Sequence, residues 1–261
     1  MTRFANRTQE LRLFEQMLRR QVGERILLVE APSGYGKTGL MGRFERLCSQ
    51  GIHPGSRGIH PVLIDLKGAQ AGIASVFSRI QRVLEKKRFP KFNAEIDRFL
   101  NSGVEIQNNR LTGEGSQIQV IFDVPPEERN YRLTRLQEVF FEDLERFDRP
   151  IAFILDTYNG ATEELAGWIE SQFLEEVALN PKLFAIVAGQ NIPQPTVTWQ
   201  NWYHRCQLDR IMEREAWYGY AKDVGYCFTS QEIDFLIDAV GGVPAQVVLL
   251  LEGAARTRQQ I

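Results

Sequence analysis

One octapeptide, set between an apolar stretch and an amphipathic one, constrains this chain more than any other feature. Arg25-Ile26-Leu27-Leu28-Val29-Glu30 reads as a buried strand, and it stops at Ala31-Pro32-Ser33-Gly34-Tyr35-Gly36-Lys37-Thr38, after which a helix runs to about Ser49. Strand, glycine-bearing turn, Lys-Thr and helix together make a phosphate-binding loop of the form G-x-x-x-x-G-K-[ST]. Ala31 stands in the first place, which needs a small residue more than it needs a positive φ. A phosphate chain requires several N–H groups pointing inward around a tight curve. Gly34 and Gly36 permit the dihedrals and the close approach that a Cβ would forbid. The helix opening near Lys37 sets its positive end beneath the anion. Lys37 supplies a mobile point charge for β- and γ-phosphates, and Thr38 a hydroxyl for Mg²⁺. Ser33, Gly34, Tyr35, Gly36, Lys37, Thr38 and Gly39 are therefore the expected binding residues.

Other short apolar runs recur between helical patterns. Pro61–Leu66, Ile151–Asp156 and Leu183–Gly189 read as strands, and residues 203–208 as a fifth. Helices are expected at Thr8–Arg20 (capped by Thr8), 73–87, 91–100, 129–147 and 163–179. Short continuous apolar strands separated by helices favour a parallel sheet covered on both faces. The expected fold is α/β, a three-layer sandwich around a mainly parallel five-stranded sheet. Residues 101–130 carry short alternating pieces around a polar stretch and read as a hairpin insertion or a mobile excursion. After about residue 209 the strand signals stop. Residues 213–224, 230–239 and 244–255 read as helices, with Ser230 a cap and Gly241-Gly242 a break. The expected division is an α/β core over 1–208 and a helical lid over 209–261.

Composition closes off several classes. The chain has 261 residues and a formal net charge of −2, which excludes a nucleic-acid binder acting by overall charge alone. No apolar stretch is long enough for a transmembrane helix, and the first residues lack the apolar core of a secretory signal, so a cytoplasmic location is expected. Cys48, Cys206 and Cys227 form neither a CxxC nor a disulfide framework and read as buried free thiols. His53 and His60 lie in a Gly/Pro-rich connection without metal-ligand spacing.

Magnesium also needs a carboxylate, usually at the end of a neighbouring strand. Asp156 and Asp65 both follow apolar runs, and Asp156 has the longer run. Hydrolysis needs a further group to orient or deprotonate water. The residue after Asp156 is Thr157, which cannot act as a base; Asn159 could orient water only, and Glu163 and Glu164 suit the start of a helix. Gln190 ends the fourth strand, where a polar side chain can sense a γ-phosphate. Lys37, Asp156 and Gln190 are the candidate catalytic residues, and Thr38 and Asp156 the candidate metal ligands.

Several segments occur in a specific order: Phe4-x-Asn6-Arg7-x-x-Glu10-Leu11, the octapeptide 31–38, Ile154-Leu155-Asp156, Ala188-Gly189-Gln190 and Gly241-Gly242-Val243-Pro244. The set resembles the nucleotide-binding core of STAND-class signal-transduction ATPases, relatives of AAA+ proteins that include NACHT and NB-ARC domains. The resemblance covers nearly the whole chain apart from 101–130. It implies ATP or ADP with Mg²⁺, a five-stranded parallel core, a helical lid, and an adenine held near Phe4, Asn6, Arg7 and Pro244. The chain departs from that pattern at Thr157, where a second acid is frequent, and at Gln190, where arginine is common. It also stops at Ile261, without the winged-helix and effector domains usual in the class; a piece of a longer protein and a compact module working with partners are both compatible with that.

The expected activity is a nucleotide-controlled switch with slow or conditional ATP hydrolysis, acting through protein partners or nucleotide-dependent self-assembly, with no membrane and no nucleic-acid partner. Three alternatives stay open. One is an AAA+-like motor or loader on nucleic acid, using the basic run Arg79, Arg82, Lys86, Lys87, Arg88 and Lys91, whose plainer reading is a solvated helix face. Another is a scaffold that holds nucleotide without cleaving it. A small-molecule kinase is the third, and no Arg cluster for a second phosphate clamp supports it. Trp199, Trp202 and Tyr203 suit either core filling or an interface.

Overall fold

The computed structural model describes residues 6–50, 58–68, 72–101 and 114–259. Phe4 and His53 lie outside them, as does the Val104–Ile106 half of the expected hairpin. Five strands form the centre: β1 (Ile26–Glu30), β2 (His60–Asp65), β3 (Ile151–Asp156), β4 (Leu183–Gly189) and β5 (Tyr203–Gln207). Their order is β2-β3-β4-β1-β5, and every pairing is parallel. The period of two divides the side chains cleanly. Ile26, Leu28, Phe153, Leu155, Ala185 and Val187 point to one face; Leu27, Val29, Ile154, Ile186 and Ala188 point to the other.

Helices cover both faces, making the three-layer α/β sandwich. The second face packs on α1 (Thr8–Leu18) and α2 (Lys37–Gln50) through Phe14, Met17, Leu40, Met41 and Phe44. The first face is covered by α3 (Ile73–Leu84), α4 (Pro90–Asn101), α5 (Glu114–Phe122), α6 (Pro126–Glu145), and α7 (Glu163–Trp168) with α8 (Leu174–Leu179). Phe140 anchors this larger layer, with Phe77, Phe89 and Phe92 at centroid distances of 4.8, 5.2 and 5.1 Å. Trp199 is fully buried in the same cluster, so it fills core. The cysteines divide: Cys48 is buried, Cys206 half-buried and Cys227 exposed, which corrects the expectation of three buried thiols.

The hairpin expected over 101–130 is corrected for its described part, which is helical. Ile118, Ile121 and Phe122 are all buried, a spacing of three and four that belongs to a helix face. The Arg132 guanidinium donates to Ile121 O at 3.0 Å, taking a carbonyl from the last turn of α5. Two helix starts also differ from expectation. Thr8 is the first residue of α1 and does not cap it: Arg7 holds the cap place at a φ of 106° without a side-chain cap, and Asn6 Oδ1 accepts from Arg7 N at 2.8 Å and Thr8 N at 3.3 Å just ahead of the helix. Thr229, not Ser230, caps the tenth helix through a reciprocal pair with Glu232. The helix expected over 73–87 ends at Leu84, because Glu85 takes a φ of 72°.

After β5 come α9 (Arg214–Val224), α10 (Ser230–Val240) and α11 (Pro244–Gln259). They enclose a core of their own around Ile211, Trp217, Tyr220, Ile233, Ile237 and Leu251. Gly241 and Gly242 both have positive φ, 59° and 69°. At Gly242 a Cβ would lie 2.7 Å from Ile211 O, so only glycine lets the turn into α11 close against the connection from the sheet. Among the described residues, no helix is long and apolar enough to cross a membrane.

Candidate functional site

The chain changes direction across the sheet at β1 and β4. From β1 it crosses to β2 at one edge, and from β4 it passes over β1 to β5 at the other. The loops leaving the carboxyl ends of β1 and β4 therefore part, and such a crevice is where open parallel sheets bind ligands. A cleft of about 430 Å³ lies there, roofed by α9, α11 and the connection that enters α9. That volume is within the range of small-molecule sites.

Its floor is the octapeptide. Gly34 and Gly36 hold φ values of 84° and 88°, a region closed to most side chains. Ala31 is buried in the α1–α2 layer and its N–H donates to Gly189 O at 3.1 Å, so the first loop position is tied to β4. Lys37 Nζ donates to Ala31 O at 2.6 Å and Pro32 O at 2.8 Å, reaching back across its own loop. Burial lowers the Lys37 pKa from its ordinary value, and the nearby Asp156 carboxylate works against that shift. Ser33, Tyr35, Thr38 and Gly39 line the same cleft.

Asp156 projects from the end of β3 and is 5% exposed. One of its oxygens accepts from Thr157 N at 2.8 Å, with Thr157 held at a left-handed φ of 59°. Asp65, the other candidate acid, ends the edge strand β2 and does not reach the cleft; its Oδ1 accepts from Lys67 N at 3.0 Å. A hydroxyl from Thr38 and a buried carboxylate from Asp156 are hard oxygen donors in one cleft, a set that fits Mg²⁺, which usually keeps waters and phosphate oxygens as its remaining ligands. Asp156 is the only acid among the described residues lining it. Glu163 and Glu164 open α7, where Thr162 caps the helix. Gln190 lines the cleft, and its N–H donates to Asn159 Oδ1 at 3.1 Å, joining the loops after β3 and β4.

The roof is mostly apolar: Ile211, Trp217, Tyr220, Pro244, Ala245 and Val248. Trp217 is fully buried and its Nε1 donates to Ile211 O at 2.8 Å. Ala245 N, in the first turn of α11, donates to Gly34 O at 2.9 Å, a direct main-chain bond from roof to floor. Arg7 adds another tie, donating to Tyr35 O at 3.1 Å and to Asp209 O at 2.6 Å. Of the residues expected near a base, Arg7 and Pro244 line the cleft. Asn6 does not; its side chain is engaged in starting α1 and faces a separate polar groove beside Asp209 and Arg210.

Sequence reasoning missed Trp217, Tyr220, Ile211 and Val248. Trp217 and Tyr220 are three apart on an amphipathic helix, which marks them as buried but not as a wall of this cleft. Within the basic run, Lys87, Arg88 and Lys91 face Glu85, Asp148 and Glu142 respectively.

No protein-family model and no curated protein matches the chain. Among solved structures, it is similar to the Walker-type ATPase PABY2304 of Pyrococcus abyssi, with a TM-score of 0.54 and 16% identity over 98% of this chain and 71% of that one. At that identity the likeness is one of fold, and the fold is that of a Walker-type P-loop ATPase.

Proposed function

We propose that the chain binds ATP with Mg²⁺ and works as a nucleotide-controlled switch of the STAND type whose hydrolysis is slow. The observation that carries this reading is the convergence of three strand ends on one roofed cleft: the Lys37 loop from β1, Asp156 from β3 and Gln190 from β4. In it, the N–H groups around Gly34 and Gly36 and the Lys37 ammonium neutralise the phosphate tail. Thr38 and Asp156 hold the metal, which neutralises charge on the β- and γ-phosphates when bound. Gln190 faces the γ-phosphate and separates ATP from ADP. The roof shelters the base on apolar side chains. Because α11 bonds directly to the loop, a change at the phosphates alters the roof's seating, and this favours a switch over a simple binder. The effector surface it would expose, whether for another protein or a second copy, follows from the same movement.

Slow turnover rests on the absence of a second carboxylate among the described lining residues, with Thr157 directly after Asp156. That same observation supports the other reading, a scaffold that holds ATP without cleaving it. Calorimetric titration tests the core of the proposal. ATP with Mg²⁺ should bind the wild-type chain, and Lys37→Ala should weaken binding by about 100-fold, as loss of a charge-assisted phosphate contact demands. Equal affinity in the two proteins would overturn the site. Single-turnover hydrolysis abolished by Asp156→Asn would decide against the scaffold.

A further inference from the structure

The helix from Glu163 to Leu179 is interrupted by a π turn over Ile169–Phe173. Such turns widen the main-chain ladder by one residue and are frequent near functional sites. Glu170 lies in this one, half-buried and outside the cleft, yet three residues from two connections beside the cleft, the loop after β3 and the β4–β5 connection, converge on it. The Tyr158 hydroxyl donates to Glu170 Oε1 at 3.1 Å. Gln194 N donates to the same oxygen at 3.0 Å. Trp199 Nε1 donates to the Glu170 main-chain carbonyl at 2.8 Å.

Each donor comes from a place that matters. Tyr158 follows Asp156 and Thr157 at the end of β3. Gln194 belongs to the loop that leaves β4 through Gln190. Trp199 stands in the connection to β5 and is fully buried. Nearer the cleft, Asn159 Oδ1 already joins the first two loops by accepting from Gln190 N. Gly189 lets them approach: a Cβ there would lie 3.2 Å from Tyr158 Cβ and 2.2 Å from Asn191 O. A carboxylate oxygen shared by a phenol and a main-chain N–H makes two charge-assisted bonds from one atom.

We infer that Glu170 is a positioning residue that locks the loop after β3 to the loop after β4, so that Asp156 and Gln190 respond to a γ-phosphate as one body. The inference rests on the nucleotide reading and goes beyond it, by naming what holds the sensing side chain in register with the metal-holding one. Trp199 fastens the far half of the same β4–β5 connection to Glu170, so that connection is the route by which occupancy at Gln190 leaves the site.

The test compares ATP and ADP affinities, each with Mg²⁺, in wild type, Glu170→Ala, Glu170→Gln and Tyr158→Phe, with Lys37→Ala as control. Wild type should prefer ATP by about tenfold, and Glu170→Ala should cut that preference about fivefold while leaving ADP affinity within about twofold, because ADP does not reach Gln190. Glu170→Gln should restore the preference, since its amide oxygen accepts from the same two donors. Tyr158→Phe removes one donor without removing the ring and should give a smaller loss; it also serves if Glu170→Ala does not fold. An unchanged ATP preference in Glu170→Ala and Tyr158→Phe overturns the inference, as does a Glu170→Gln protein as defective as the alanine variant. If wild type binds both nucleotides, loses them in Lys37→Ala and shows no Glu170 dependence, this inference alone falls. If wild type binds neither, the nucleotide reading falls with it.

Discussion

The two ends of the cleft are built on different principles. The floor is made of main chain and charge: Gly34 and Gly36 at positive φ, the Lys37 ammonium and the Asp156 carboxylate, all set by strand ends in one sheet. The roof is made of apolar surface: Trp217, Tyr220, Pro244, Ala245 and Val248, set by a separate helical core. A floor of that kind is rigid, because the central strands β3 and β4 are buried along their whole length. A roof whose own core is small has little to hold it in place except its ties to the floor. The difference bears on the proposed switch: recognition would reside in the floor and movement in the roof.

The largest effect should come from Trp217→Ala. Truncating a fully buried Trp costs about 3–5 kcal/mol and here also orphans the Ile211 carbonyl. Hydrogen exchange should accelerate over 211–259 while the sheet keeps its protection. If the sheet loses protection to the same extent, the two regions are one cooperative unit and the contrast breaks. Next comes Arg7→Ala. Arg7 is 8% exposed and spans both regions, donating to Tyr35 O in the floor and Asp209 O at the approach to the roof. Its loss should destabilise the fold by about 2 kcal/mol, the scale of hydrogen bonds made by a charged group. Arg7→Lys should rescue little, because a single ammonium cannot reproduce the guanidinium fork. Chemical denaturation measures both. Full stability in Arg7→Ala would mean the roof is seated by the α11 bond alone.

Gly34→Ala probes that bond at its floor end. At φ 84° an alanine is strained by about 1–2 kcal/mol. Its Cβ would also stand 3.3 Å from Ala245 Cβ, pushing on the residue that donates to Gly34 O. ATP affinity measured by titration should fall about tenfold, with the global unfolding transition of the sheet almost unmoved. A fall in sheet stability without a fall in affinity would place the strain elsewhere.

The same contrast explains what the sequence could and could not disclose. The floor was legible because its parts are local: a strand, eight residues and a helix, with glycines where the backbone demands them. Asp156 and Gln190 could be singled out because each follows an apolar run, and the longer run before Asp156 already favoured it over Asp65, whose strand β2 lies at the edge of the sheet. The roof was legible as helices but not as a wall, since Trp217 and Tyr220 meet the loop only through contacts far apart in sequence. Caps were misplaced by one residue: Arg7 rather than Thr8 holds the cap place of α1, which no side chain fills, and Thr229 rather than Ser230 caps α10, because neighbouring Ser and Thr compete for the same cap. The alternation around 118–121 misled because four residues cannot separate a period of two from one of 3.6; burial of Phe122 completes the helical set. The π turn at Glu170 leaves no mark in composition at all.

The smallest effect is on pH, and it sharpens the contrast at a single atom. Burial holds the Lys37 pKa below its ordinary 10.5, with Asp156 opposing. Between the lowered value and 10.5 the unfolded chain binds more proton at this lysine than the folded chain does. Its contribution therefore makes stability rise with pH through that window. A triphosphate reverses the balance, because its negative charge raises the Lys37 pKa again and binding takes up a proton. ATP affinity should accordingly fall with pH through the same window. Titrations and urea unfolding across the alkaline range should show the two slopes opposed in wild type, with the Lys37 part of each gone in Lys37→Ala. Slopes of the same sign would mean that the ammonium does not meet the phosphates, and that the floor recognises its ligand through main-chain N–H groups alone.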